Sequence, residues 1–155
     1  MATTSDLETI LAFAVAMLAD IPGVSHAYGY EPVAKHGESI TTFLKTAGWV
    51  SYWWAECVST RESPFSNEEV VLTHDLVLQG YGEVQDEAAS GPAFRVLTSL
   101  IMDTFRPAYH VPDSATAMLF GPVQAPVRGQ LLLLNETFLV HHSECHISAT
   151  ERVTL

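Results

Sequence analysis

The chain has 155 residues, of which 48% are hydrophobic and only 16% charged, a composition that excludes extended disorder and predicts one domain around one core. Its 18 acidic and 7 basic side chains give a formal charge of −11, and the basic residues are scattered, so no basic patch for nucleic acid is visible. Cys57 and Cys145 lie alone in their segments, which excludes a disulfide scaffold and predicts reduced, buried thiols.

The first predicted element is an amphipathic helix over residues 6–20, because apolar side chains recur there at helical spacing. Ser5 and Glu8 fit a capping box at its start, and Pro22-Gly23 ends it. The apolar stretch 10–19 is too short to span a bilayer and lacks a basic flank, so we expect no membrane association and assembly in the cytoplasm. A short strand over residues 24–30 follows the helix.

Residues 31–48 have no sustained period and predict a long loop. Residues 49–60 and 69–80 are rich in β-branched and aromatic side chains, and residues 61–67 between them are typical of a turn. We therefore expect a long antiparallel hairpin. One face of its second arm should carry the alternating residues Val70, Leu72, Leu76 and Leu78.

A second helix is predicted after the acidic segment 83–87, with Asp86 or Ser90 as its N-cap and Arg106-Pro107 as its end. Its buried stripe is predicted to be Phe94, Leu97, Leu100, Ile101 and Phe105.

The C-terminal third of the chain predicts three strands, over residues 117–124, 131–134 and 138–150. The interruptions between them are Gly121-Pro122, Pro126 and Gly129. The order of elements predicts an α+β fold, with two helices packed on one face of a mainly antiparallel sheet that includes a long β-hairpin.

Metal-ligating side chains cluster in the last predicted strand. On a strand, His142, Glu144 and His146 share one face and could converge on one metal ion, while His141 and Cys145 point the other way. The alternative is a polar outer face on a core strand, and we favour it because ligands two residues apart on one strand seldom close a tetrahedral site. The sequence thus predicts no metal, no cofactor and no catalytic residue; a small metal-dependent enzyme is the alternative.

The aromatic residues of the hairpin must point to both faces of the sheet, because side chains alternate along a strand. One set can enter the core, and the other needs a different cover, supplied either by a partner or by loop 31–48. We favour a partner; a small-ligand pocket is the alternative. The predicted oligomer or partner interface consists of Trp49, Tyr52, Trp53, Trp54 and Phe65.

Four segments together carry a resemblance to a known family. They are Ile21-Pro22-Gly23-Val24 at the end of the first helix, the arm 73–82, the acidic lead into the second helix through Ser90 and Phe94, and the closing segment 140–147. In this layout the chain resembles the tail terminator proteins of long-tailed bacteriophages, which are small α+β subunits that form a hexameric ring on the end of the tail tube.

The resemblance implies a virion protein of the tail neck that stops polymerisation of the major tail tube protein and joins the tube to a head-side connector or stopper protein. Double-stranded DNA would pass through the ring without specific binding, because an acidic lumen repels phosphate. Loop 31–48 and tip 61–68 would contact the tube or the neighbouring subunit. The resemblance implies no cofactor and no catalytic residues. A stopper, an adaptor or another neck protein is the alternative.

Overall fold

The structure, a computed structural model, describes residues 4–29, 51–84, 89–134 and 138–155. Within these ranges the chain forms two helices and a curled six-stranded sheet, which confirms the mixed α+β class. The predicted loop 31–48 lies outside the described residues, as do Trp49 and Asp86. The elements are α1 (Leu7–Ala19), β1 (His26–Tyr28), β2 (Ser51–Pro64), β3 (Glu69–Glu83), α2 (Ser90–Phe105), β4 (Tyr109–His110), β5 (Met118–Leu134) and β6 (Phe138–Thr154).

The strands follow the order β1-β2-β3-β6-β5-β4 in the sheet. Strand β1 is parallel to β2, and all other pairs are antiparallel. Strands β2 and β3 form the predicted long hairpin, paired from Ser51↔Gly82 to Pro64↔Val70 with a register shift between Cys57 and Ser59. Side chains alternate across this sheet, so each strand presents one set of residues to each face.

Both helices pack on the same face of the sheet, and one hydrophobic cluster joins them to it. Each large apolar side chain buried there stabilises the fold by roughly 1.5–3 kcal/mol. The helices contribute Ile10, Ala14 and Leu18 from α1 and Phe94, Leu97, Ile101 and Phe105 from α2. The sheet contributes Trp53, Ala55, Leu76, Leu78, Leu119, Cys145, Ile147 and Ala149.

The starts of the two helices differ from the predicted ones, whereas α2 ends at Phe105 before Arg106, as predicted. Asp6, without a side-chain cap, is the N-cap of α1. Ser5 Oγ accepts the Leu7 amide of the first turn (3.2 Å), as predicted, but among the described hydrogen bonds none from Glu8 completes a capping box. Helix α2 begins at Ser90 with Ala89, not Ser90, as its N-cap, and the Ser90 hydroxyl hydrogen-bonds the His141 ring (2.9 Å).

The buried stripe of α2 also differs at one position. Leu100 is 40% exposed, whereas Thr98 is fully buried. The Thr98 hydroxyl is satisfied in this apolar position by the Phe94 carbonyl (2.9 Å) and by Ser143 Oγ (2.7 Å). A threonine can therefore face the sheet where the apolar pattern favoured a leucine.

Strand β5 is one continuous element where two strands were predicted. The predicted breaks at Pro122, Pro126 and Gly129 coincide with three register shifts against β6, between Phe120 and Gln130. Strand β5 tolerates prolines because, among the described residues, only the two-residue β4 pairs with its outer side. Bulges there bend the edge strand without ending it.

The two cysteines should differ sharply in reactivity. Burial raises the pKa of the Cys145 thiol to about 12, whereas Cys57 is partly exposed on β2. Since the thiolate is the reactive form, we expect N-ethylmaleimide at pH 8 to modify Cys57 alone in the native protein and both cysteines in urea. Peptide mass spectrometry measures this difference. Equal labelling of both thiols before urea is added would contradict the packing of β6 against the helices.

Candidate functional site

The closing strand β6 shows the predicted alternation. Cys145 is buried under the helices, and His142, Glu144 and His146 are partly buried on the opposite face. His146 Nε2 pairs with Glu144 Oε1, and His142 Nε2 lies 3.3 Å from Gln79 Oε1. Burial lowers the pKa of His142, and the nearby Glu144 carboxylate opposes that shift. Nowhere in the described ranges do three or more histidine, cysteine or acidic side chains form a group that could hold a metal ion.

An open cleft of about 380 Å³ lies on the same face, between the bulge of β2 and the irregular part of β5. Its main polar groups are Ser59, Asp75, Gln124, His146 and Ser148. Asp75 accepts hydrogen bonds from Ser59 Oγ (2.6 Å) and Arg61 (3.3 Å), and the Ser59 bond is the main reason that the pKa of Asp75 is lowered. Asp75 and His146 are thus already paired with side chains of their own sheet, as expected of a polar surface.

The hairpin aromatics lie mostly inside the chain. Trp53 stacks on Phe94 in the helix-covered core, with ring centroids 5.7 Å apart. Tyr52 and Trp54 form a second buried cluster with Tyr81 and Val140 on the other face. The exposed fractions of Tyr52, Trp53 and Trp54 are 2%, 0% and 1%.

Among the described members of the predicted interface, Phe65 is the one that reaches the surface. It lies beside the hairpin turn, is 57% exposed, and has the Arg152 guanidinium 5.3 Å from its ring centroid. Trp49 falls outside the described residues. The assignment of these aromatics to an oligomer or partner interface stays a prediction.

A buried polar network joins the three strands β2, β3 and β6 to the residues just before α1. His74 and Glu151 are 1% and 2% exposed, and His74 Nε2 lies 2.8 Å from Glu151 Oε1. On its other side, His74 Nδ1 lies 2.8 Å from Thr60 Oγ1. Glu151 also accepts the Ser5 hydroxyl and, at 2.7 Å, the Asp6 amide at the start of α1. We call Thr60, His74, Glu151 and Ser5 the polar clamp.

The polar clamp contains the hydroxyl, imidazole and carboxylate of a nucleophilic triad, but its contacts indicate a structural role. Both oxygens of Glu151 receive hydrogen bonds from the first residues before α1, so the carboxylate of β6 acts where a helix cap would act. The network therefore fixes the start of α1 to the β2–β3 hairpin and to β6. Our sequence reasoning missed it, although Glu151 follows Ile147 and Ala149 on the core-facing side of the strand.

Exposed leucines form a surface patch where β5 and β6 meet. Leu131, Leu133 and Leu139 are 54%, 55% and 44% exposed. Leu133 lies directly opposite Leu139 in the antiparallel pair, and Leu131 is two residues from Leu133, so all three share one face. We call these three residues the leucine patch. The sequence signal for it was the run 131–134, in which successive leucines must point to opposite faces.

Comparison with known proteins assigns no family to this chain. No protein-family model matches it, and no curated protein matches it either. Among the helices of the described residues, none is long and apolar enough to cross a membrane. The function is therefore inferred from the geometry of the chain.

Proposed function

We propose that this protein is a structural subunit that assembles with copies of itself into a hexameric ring, as the tail terminator of a long-tailed phage. In that role the ring caps the tail tube, stops its growth and joins it to the head-side connector. The observation that carries the proposal is the leucine patch: three large apolar side chains stay in water on a chain whose core is already filled.

The leucine patch supports association because contiguous exposed apolar surface on a folded chain typically marks a contact site. Covering it would stabilise a complex, since buried apolar area contributes roughly 25 cal/mol per Å². Further aliphatic side chains are exposed on α2, where Val96 is 69% exposed and Leu100 40%. The described chain therefore offers exposed apolar side chains beyond the leucine patch.

The negative charge of the chain supports the proposal that DNA passes through the ring without binding to it. A formal charge of −11 on each subunit gives six copies a strongly negative field, which repels phosphate and disfavours binding of DNA to the inner wall. Exposed acidic residues occur throughout the described chain, among them Glu8, Asp20, Glu62, Glu68, Asp103 and Asp113. The same charge keeps the free subunit soluble before assembly.

We expect the purified protein, alone or mixed with tail tubes assembled from a major tail protein, to form six-membered rings. Native mass spectrometry gives the number of copies, and negative-stain imaging shows whether rings sit at tube ends. Tubes polymerised in its presence should be shorter and capped. Binding to a connector but not to tube ends would indicate a stopper or adaptor instead. A chain that stays monomeric at high concentration and leaves tube growth unchanged would overturn the proposal.

A further inference from the structure

We infer, on the premise of the ring proposed above, that the leucine patch of one subunit binds the tip of the β2–β3 hairpin of the next subunit. We define the hairpin tip as residues 61–68 together with Leu155, whose amide donates to the Glu68 carbonyl (2.8 Å). Large apolar side chains are exposed on both surfaces, since Phe65 is 57% and Leu155 64% exposed at the tip. Two such surfaces gain binding free energy when they cover one another.

The two surfaces lie at opposite ends of the strands. Glu69 at the start of β3 lies beside the hairpin tip, whereas Glu83 at its end pairs with Val140, next to the leucine patch. The 15 residues of β3 therefore separate the two surfaces by about 45 Å, at roughly 3.3 Å per residue. Because the surfaces cannot meet within one chain, a contact between them joins two copies head to tail, which is the kind of contact that builds a closed ring.

The leucine patch has a positively charged border on a strongly negative chain. Among the arginines of the described chain, three already contact an acidic or aromatic side chain, namely Arg61, Arg106 and Arg152. The other two, Arg95 and Arg128, are exposed and form no ion pair with a described residue. Segments 89–102 and 114–134, which carry these two arginines, contain no acidic residue.

Both of these arginines are close to the leucine patch. Arg128 precedes Leu131 by three residues and donates to Ser99 Oγ on α2. Arg95 packs against Gly129, where an added Cβ would lie 2.6 Å from Arg95 Cγ. The patch and its border therefore fit a partner surface that is apolar and acidic.

The hairpin tip provides such a surface on the same chain. Glu62 and Glu68 are exposed there near Phe65, and neither carboxylate forms an ion pair with a described residue. Arg61 of the tip is already paired with Asp75 (3.3 Å). Contact of the two glutamates with the arginines of the next copy would offset the repulsion between two chains that each carry −11. Charge therefore favours a second copy as the partner of the leucine patch.

Cysteine crosslinking tests this contact. In a Cys57→Ser background we would combine Ser66→Cys at the tip with Leu139→Cys in the leucine patch, two exposed positions. Because they lie about 45 Å apart in one chain, a short bismaleimide can join them only between copies. On rings confirmed by imaging, we expect a ladder of covalent oligomers up to six copies. Each single-cysteine chain should stay uncrosslinked, and a mixture of the two should stop at the dimer.

Charge reversal in the double-cysteine chain provides an independent test. Arg95→Glu should raise the protein concentration needed for half-maximal crosslinking about tenfold or more, because like charges then face one another. Adding Glu68→Arg to Arg95→Glu should restore crosslinking, since opposite charges meet again. The matched control is Glu8→Arg on α1, an exposed site outside both surfaces, which gives the same net charge and should not restore it. Far-UV circular dichroism confirms that each variant is folded.

The outcomes separate this contact from the ring itself. Confirmed rings without a ladder would overturn the contact and leave the ring proposal standing. A ladder from open chains, with no closed ring in the images, would support the contact and overturn the ring. Dimers from either single-cysteine chain, or equal rescue by Glu8→Arg and Glu68→Arg, would overturn the pairing of tip and patch. Absence of both rings and crosslinks, including on tube ends, would overturn both proposals.

Discussion

Glu151→Ala is expected to lower the free energy of unfolding by about 3 to 5 kcal/mol, because it leaves several buried hydrogen-bonding partners unsatisfied, each at a cost of roughly 1–3 kcal/mol. The substitution leaves His74, only 1% exposed, without its partner at Nε2. It also removes the acceptor of the Asp6 amide at the start of α1. Urea denaturation followed by far-UV circular dichroism measures the loss.

Strand β6 provides a matched control for this prediction. Glu144 is also paired with a histidine, but it lies on the opposite face, and the side chains of His146 and Glu144 are 42% and 25% exposed. Glu144→Ala should therefore cost no more than about 1 kcal/mol. Glu151→Gln, which keeps an acceptor for the Asp6 amide, should fall between the two alanine variants. Equal losses for Glu144→Ala and Glu151→Ala would show that the polar clamp does not stabilise the fold.

The pair of glutamates also shows what could be predicted from the sequence. The alternation of β6 was correct: Cys145 and Ile147 face the core, and Glu144 and His146 face outward. Periodicity alone places Glu151 on the core face as well, where an acidic side chain is unexpected. Its partners Ser5, Thr60 and His74 lie far away in sequence, and no local pattern brings them together. The polar clamp therefore required the tertiary structure.

The sequence prediction for β5 was wrong because proline and glycine interrupt a central strand but are tolerated in a strand near a sheet edge. Pro122, Pro126 and Gly129 would interrupt a strand paired on both sides, and on this basis two strands were predicted. The edge position permits one strand with three register shifts, and sequence patterns do not show which strand lies at an edge. The leucine patch was missed because alternation places Leu131 and Leu133 on one face of β5 without showing whether another element covers them.

The number of aromatic residues in the hairpin did not predict how many of them would be exposed. The alternation of Trp53 against Tyr52 and Trp54 was predicted, and the structure places the two sets on opposite faces. The expectation that one set needs cover from a partner rested on the assumption of a single core. The described chain instead has a second, smaller buried cluster around Tyr81 and Val140. Exposed apolar surface lies elsewhere, in side chains such as Phe65 and Leu131.

Gly80→Ala is expected to destabilise the chain by about 3 kcal/mol, the upper end of the typical cost of overpacking a core. A Cβ at Gly80 would lie 2.2 Å from Cε2 of Trp53 and within 2.7 Å of two more atoms of its ring. The ring cannot retreat, because it is fully buried and stacked on Phe94. The unfolding midpoint in urea and the tryptophan fluorescence of the native state measure the effect.

Two further variants separate this clash from a general effect of replacing glycine. Gly29→Ala should change stability by no more than about 0.5 kcal/mol, since the nearest atom to its added Cβ is Val15 Cγ2 at 4.0 Å. Trp53→Leu makes room beside Gly80, so adding Gly80→Ala to Trp53→Leu should cost much less than Gly80→Ala alone. If Gly80→Ala costs the same stability with Trp53 and with Leu at position 53, the indole ring is not the reason that position 80 requires glycine. A smaller cost of Gly80→Ala in the Trp53→Leu background would show that the indole ring requires glycine at position 80. This requirement would explain a glycine inside a β-strand, which backbone entropy alone disfavours.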